Sequence, residues 1–131
     1  MRVKCLYNRG CELDTNYLLR CRDTVNTEYP LKKGEIYVVY GQAIIEDLLY
    51  YLVLGTYQNL PNWYPAELFE IVDGSVCFDW FFRCDIKQFP TALWGYYELI
   101  VDKDHYENLI EREPVAVKTF LKRKKEIDEL S

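Results

Sequence analysis

The sequence predicts an α+β domain in which a small, strongly bent antiparallel sheet is followed by two C-terminal helices. The middle of the chain is rich in β-branched and aromatic residues, and tyrosine occurs twelve times in 131 residues. Such residues favour strands because they fit a pleated, half-buried surface. The last thirty residues instead place apolar side chains at helical spacing. Strands first and helices last are typical of α+β domains, and the length predicts one domain over residues 1–131.

The β-rich part is expected over residues 1–101. Its predicted strands cover residues 2–8, 35–44, 46–55, 68–72 and 75–86. Residues 9–34 are mixed in character and predict a long loop with a short element at residues 17–21. Pro65 cannot donate a hydrogen bond to a central strand, so a short turn is expected at residues 65–67. Phe78, Trp80 and Phe82 alternate along the last segment, which predicts that they share one strand face.

The helical part is expected over residues 102–131. In residues 102–113, Asp102 or Asp104 can serve as the N-cap, because a carboxylate accepts a free backbone N–H at a helix start. Pro114 ends that helix and suits the first turn of the next. The second helix, residues 114–130, has one predicted apolar face with Val117, Phe120, Leu121 and Ile127.

The charge of the chain excludes one class of partner. The net charge is −5, and residues 1–113 carry 11 basic and 18 acidic residues, a charge of −7. A body of this charge repels phosphate backbones, so nucleic acid is not expected as a partner. A basic protein would instead be attracted toward it.

No residue pattern points to catalysis, a metal or a cofactor. The five cysteines form no C-x-x-C pair and are expected to be free, mostly buried thiols. A zinc site needs about four ligands, and His105 is the one histidine in the sequence. A Cys–His nucleophile pair is disfavoured because His105 is expected to be exposed on a charged helix. Glycine-rich phosphate loops and the G-x-S-x-G motif do not occur.

The sequence shows no pattern typical of a signal peptide or a membrane span, so a soluble cytoplasmic protein without a membrane partner is expected. The start "MRVKCLYNRG" is basic but has no apolar stretch of a signal peptide. The longest nearly apolar run, residues 48–55, is too short to span a bilayer.

Residues 31–73 carry a resemblance to a known fold. The segments "LKKGEIYVVYG", "YYLVLG" and "NWYPAELFEIVD" resemble the core of small bacterial and prophage SH3-like domains. The matching residues are Lys33, Gly34, Tyr37, Val39, Tyr51, Leu52, Trp63, Tyr64, Pro65, Leu68, Phe69 and Glu70. The resemblance implies a small antiparallel SH3-like β-barrel within residues 1–101. The segment 9–30 and the C-terminal helices are additional to such a barrel and could cover its peptide groove.

The flanking segments resemble a more specific group. "MRVKC", "VDGSVCFDWFF" and the helix that begins near "ERE" are similar to stand-alone bacterial proteins that look like immunity partners of polymorphic or contact-dependent toxins. That resemblance implies a cytoplasmic inhibitor, not an enzyme, that binds one toxin domain, expected to be a basic nuclease. The alternative is an SH3-like adaptor of bacterial or prophage origin that binds an extended peptide.

The expected partner-binding residues combine carboxylates with aromatic anchors. An acidic surface complements a basic nuclease, and Trp and Tyr are enriched at interface hot spots. The candidates are Asp73, Asp79, Asp85, Trp94, Tyr96 and, for the adaptor alternative, Tyr64.

Overall fold

The computed structural model describes residues 1–56, 59–77 and 79–130, and its fold is α+β. The described strands are Arg2–Cys5 (β1), Ile36–Val38 (β2), Gly41–Ile45 (β3), Leu48–Val53 (β4), Asn62–Pro65 (β5), Phe69–Asp73 (β6), Phe81–Cys84 (β7) and Ala92–Gly95 (β8). The α-helices are Thr15–Cys21 (α1), Tyr97–Val101 (α2), His105–Ile110 (α3) and Pro114–Leu130 (α4). Phe78, which enters the sequence predictions, lies outside the described residues.

The strands form two antiparallel sheets. One sheet has the order β2-β1-β6, and the other has the order β5-β4-β3-β8-β7. Within β1–β6, two chain segments pass from one sheet to the other: β2 continues into β3, and β5 continues into β6 through a 3-10 turn at Ala66–Leu68. The connection from β6 to β7 then returns the chain to the five-stranded sheet. Among the described strands, backbone pairing does not join the two sheets into a closed barrel. The α+β class and the antiparallel pairing are therefore confirmed, but the strands form two sheets rather than one strongly bent sheet.

The predicted strand over residues 35–44 is divided in two at Val39 and Tyr40. The amide of Val39 donates to the carbonyl of Met1 (3.0 Å), whereas the amide of Tyr40 donates to the carbonyl of Leu52 (2.8 Å). The backbone thus changes its partner from the β1 side to β4 between two consecutive residues. This exchange bends the segment and places β2 and β3 in different sheets.

The first hydrophobic core includes side chains of both sheets. Val3, Val39, Val53 and Leu68 are fully buried in it. The rings of Tyr29, Tyr37, Tyr51, Tyr64 and Phe69 form its buried aromatic part. The tyrosine-rich middle of the sequence therefore supplies core residues more than exposed ones, as β-propensity suggests for half-buried faces.

The second core joins the five-stranded sheet to the C-terminal helices. Leu52 and Leu93 contribute from β4 and β8, and Leu99, Leu109 and Phe120 contribute from α2, α3 and α4. All five side chains are at most 1% exposed. The helices are thus held against the sheet by buried apolar area, which contributes about 25 cal/mol per Å².

The segment between β1 and β2 is ordered by local contacts. A short element predicted at residues 17–21 is confirmed by α1, which begins two residues earlier. Its N-cap is Asp14, whose carboxylate accepts a hydrogen bond from the amide of Tyr17 (3.4 Å). The amide of Gly10 donates to the carbonyl of Thr27 (2.8 Å), so the two ends of the segment are joined.

The helical part begins earlier than predicted. Helix α2 occupies Tyr97–Val101, which the sequence assigned to the β-rich part, and α3 covers only His105–Ile110. The amide of Asp102 donates to the carbonyl of Glu98 (3.1 Å), which closes α2. The carboxylate of Asp102 then accepts from the amide of Asp104 (3.0 Å), which starts a new turn. Helix α4 begins at Pro114, as predicted.

Candidate protein-interaction surface

Exposed apolar side chains are concentrated between residues 76 and 101. They are Val76, Phe81, Phe82, Ile86, Phe89, Tyr97 and Val101, each at least 46% exposed. Single exposed apolar residues are ordinary, whereas neighbouring ones mark interaction sites. Four rings of this region form two pairs around β7: Phe81 with Tyr97, and Phe82 with Trp94. We call these four residues the β7 surface.

The strand register explains the two pairs. Phe82 lies directly opposite Trp94 on β8, so both rings project from the same face and stack with centroids 4.8 Å apart. Phe81 lies opposite Gly95, which has no side chain to cover it. Its ring instead meets Tyr97 of α2 edge to face, with centroids 5.5 Å apart. Because successive strand residues point to opposite faces, β7 presents aromatic area on both.

β7 is an edge strand of the five-stranded sheet. No described strand pairs with its outer side. Such an edge is a template for another strand, and natural proteins commonly protect it with charge. Arg83 is the one charged residue within β7. The strand can therefore offer both main-chain hydrogen bonds and ring contacts to a second protein.

Two of the predicted carboxylates flank this strand. Asp79 precedes β7 by two residues and Asp85 follows it directly, and both are exposed. The carboxylate of Asp85 accepts from the amide of Lys87 (3.0 Å). Trp94, also predicted, is half-buried beneath Phe82. The structure thus places Asp79 and Asp85 beyond the two ends of β7, and Trp94 on the neighbouring strand β8.

Asp73 lies on the other sheet. It ends β6, opposite Arg2 on β1, and its carboxylate accepts from the amide of Ser75 (2.9 Å). The hydrogen bonds from Ser75 lower the pKa of Asp73, with a smaller contribution from Arg2. This carboxylate has a local role in the turn after β6.

The prediction that Tyr64 and Tyr96 are exposed anchors is wrong. Tyr64 is 4% exposed in the first core and Tyr96 is 3% exposed in the second. Neither ring is available at the surface for a partner. Phe81, Phe82 and Tyr97 provide the exposed rings instead. None of the three was among the predicted partner-binding residues, and Phe82 was expected to share a strand face with Trp80. Trp80 packs against the first core, whereas Phe82 is 54% exposed.

His105, considered above as a catalytic base, is buried and not exposed. Its side chain is 4% exposed, and Nε2 lies 2.6 Å from the Tyr96 phenol oxygen. Burial lowers the pKa of His105, although Asp102 and Glu98 oppose this effect. Burial also raises the pKa of Tyr96. The pair is therefore neutral near pH 7 and connects α3 to the start of α2.

We expect the free energy of unfolding to fall as the pH drops below about 6.5, the ordinary histidine pKa. The unfolded chain binds a proton there, whereas the folded chain resists it until its lower pKa is reached. The loss is about 1.4 kcal/mol for each unit by which folding lowers the pKa. Urea unfolding between about pH 7.5 and 5.5 measures it.

The variant His105→Gln is the control for this pH dependence. The sequence contains one histidine, so His105→Gln removes the only imidazole and should flatten the stability profile over that interval. A variant that keeps the wild-type slope would show that His105 does not cause it.

Other site classes have no support in the described residues. Within residues 1–56, 59–77 and 79–130, no group of three or more His, Cys, Asp or Glu side chains could hold a metal ion. The five cysteines are free thiols, and burial raises the pKa of Cys5. Among the helices that the structure describes, none has both the length and the apolar character needed to cross a membrane.

No family model, curated protein or solved structure matches the chain.

Proposed function

We propose that this chain is an immunity-type inhibitor that binds a basic bacterial toxin domain through the β7 surface. The observation that carries the proposal is a set of exposed rings at an unpaired sheet edge, between Asp79 and Asp85. Exposed rings are typical anchors of protein interfaces. The flanking carboxylates complement a basic partner and disfavour an acidic one.

The charge of the remaining chain supports a basic partner. Residues 1–113 carry a charge of −7, so a basic nuclease would be steered toward the inhibitor, and its nucleic-acid site would be the surface most strongly attracted. The proposal places the inhibitor in the cytoplasm, where free thiols remain reduced. All five cysteines are free thiols.

The finer fold assignment is part of this proposal: we assign the β1–β6 portion to the SH3-like class. The orders β2-β1-β6 and β5-β4-β3 support it, as do the two segments that pass between sheets. The 3-10 turn at Ala66–Leu68 falls within the segment "WYPAELFE" that carries the resemblance. On this assignment, β7, β8 and α2–α4 are additions, and the β7 surface belongs to them.

A second candidate is an adaptor that binds an extended peptide. The unpaired outer side of β7 favours it, because a peptide strand could add to that edge. Tyr64 cannot contact such a peptide, as the adaptor alternative expected, because its ring is buried. Adaptor binding of this kind is expected to be micromolar and weakly dependent on salt, whereas a toxin inhibitor should bind one partner tightly and lose on-rate as salt rises.

Affinity capture with the tagged chain, at low and at moderate salt, tests the proposal. The bait is incubated with lysate of the organism whose genome encodes it, and captured proteins are identified by mass spectrometry. We expect one dominant partner that contains a basic domain, and the purified chain should neutralise the activity of that domain. Capture of many weak partners, or a basic domain that stays active when bound, would contradict the inhibitor proposal.

A further inference from the structure

A groove lies beside the β7 surface, between the start of β7, α2 and the C-terminal half of α4. Its volume is about 430 Å³, which is within the range of ligand-binding clefts. Trp80, Phe81 and Tyr97 contribute aromatic walls, and Tyr96 and Ile127 contribute buried parts of its lining. The groove therefore offers several ring surfaces to one occupant.

Carboxylates outnumber cations in and behind this lining. Asp79 and Glu126 line the groove, and Glu98 lies behind Arg123. Arg123 is the one basic residue of the lining. The groove also lies near the C-terminal end of α4, where the helix dipole contributes partial negative charge. The N-terminal ammonium adds one positive charge near Cys77, which also lines the groove. Three carboxylates against two cations still leave the site net negative.

The positive charge of Arg123 is already compensated. Its Nε and one Nη donate to the two carboxylate oxygens of Glu98 (2.7 and 2.8 Å), and its other Nη donates to Glu126 (2.9 Å). These hydrogen bonds hold the pKa of Glu98 below its ordinary value. Arg123 thus fixes two carboxylates in place and leaves little free positive charge.

We infer that this groove binds a cationic side chain of the partner protein, the guanidinium of an arginine or the ammonium of a lysine. The inference rests on the proposed function and specifies which chemistry of the basic partner enters the site. A cation within about 6 Å of a ring face is attracted by the electron density of the ring, and the carboxylates add direct attraction. An anion is disfavoured by the same charges.

NMR titration of the isolated chain tests the groove without any partner. The probe is N-acetyl-arginine amide, and the control is N-acetyl-norleucine amide, which keeps an apolar alkyl side chain but lacks the cation. We expect the arginine probe to shift the Trp80 indole signal and the amide signals of residues 123–130. Equal shifts with the norleucine probe, or shifts spread evenly over the chain, would overturn the inference.

Matched variants locate the contact. The double variant Asp79→Asn, Glu126→Gln removes two carboxylates of the lining and should weaken binding of the arginine probe by about fivefold or more. Glu129→Gln changes an exposed carboxylate on the same helix outside the lining and should leave the affinity unchanged. Equal affinities for the double variant and the wild type would overturn the inference.

Two further comparisons test the groove independently of the inhibitor proposal. Free arginine, with its charged amino and carboxylate groups, should bind more weakly than the blocked probe, because the proposed occupant is a side chain within a protein. Tighter binding of free arginine would indicate that the groove is a site for a small amino acid and not for a partner side chain, which would overturn the inference. Failure of affinity capture does not alter this titration, so the two proposals can fail separately.

Discussion

Truncation of Phe120 to alanine is expected to lower the free energy of unfolding by about 3–5 kcal/mol. The ring is 0% exposed and lies between two other rings. Its centroid is 5.3 Å from that of Tyr40 and 6.4 Å from that of Tyr96. Removing the ring leaves a cavity where α4 packs on the sheet, and urea unfolding at neutral pH measures the loss.

The control for this prediction is Val115→Ala. Val115 is on the same helix but is 79% exposed, so its truncation should change the free energy of unfolding by no more than about 0.5 kcal/mol. If both variants unfolded at the same urea concentration, Phe120 would not be the central contact between α4 and the sheet.

The second large effect is expected at Gly10. A Cβ atom added there would overlap the backbone carbonyl oxygen of Thr24. A backbone atom cannot yield by changing a rotamer, so Gly10→Ala must displace the segment whose ends are joined by the bond from Gly10 to Thr27. We expect a loss of about 1–3 kcal/mol in the free energy of unfolding.

Gly74→Ala provides the same substitution without the overlap. The nearest atom to its added Cβ is Cγ2 of Ile71 at 3.7 Å, which is an ordinary contact distance, so its stability should stay within about 0.5 kcal/mol of wild type. Urea unfolding of the two variants side by side decides the matter. Equal stabilities would mean that the close approach at Gly10 does not constrain the fold.

Local signals in the sequence predict several elements correctly. Pro65 predicts the turn that appears at Ala66–Leu68, and Pro114 predicts the start of α4. The division of residues 35–44 at Val39 could not be predicted, because it comes from a change of hydrogen-bond partner. Periodicity describes which residues are apolar, whereas strand pairing depends on the tertiary fold.

The candidate site is only partly predictable for the same reason. The exposure of Asp79 and Asp85 follows from their charge. The burial of Tyr64 and Tyr96 does not follow from residue type, because a tyrosine can serve equally in a core or at an interface. The edge position of β7 exposes Phe81 and Phe82, and strand order is not visible in the sequence pattern. His105 was misplaced because its helix looked charged, whereas its own face is buried.

The most direct measurement is the affinity of the captured partner for Phe82→Ala, compared with Ile36→Ala. Both side chains are exposed on edge strands, Phe82 at 54% on β7 and Ile36 at 57% on β2. If the β7 surface binds the partner, Phe82→Ala should weaken binding by about thirtyfold, the scale of a hot-spot residue, and Ile36→Ala should leave it unchanged. Equal affinities for Phe82→Ala and wild type, or a larger loss for Ile36→Ala, would contradict the assignment of the binding site to β7.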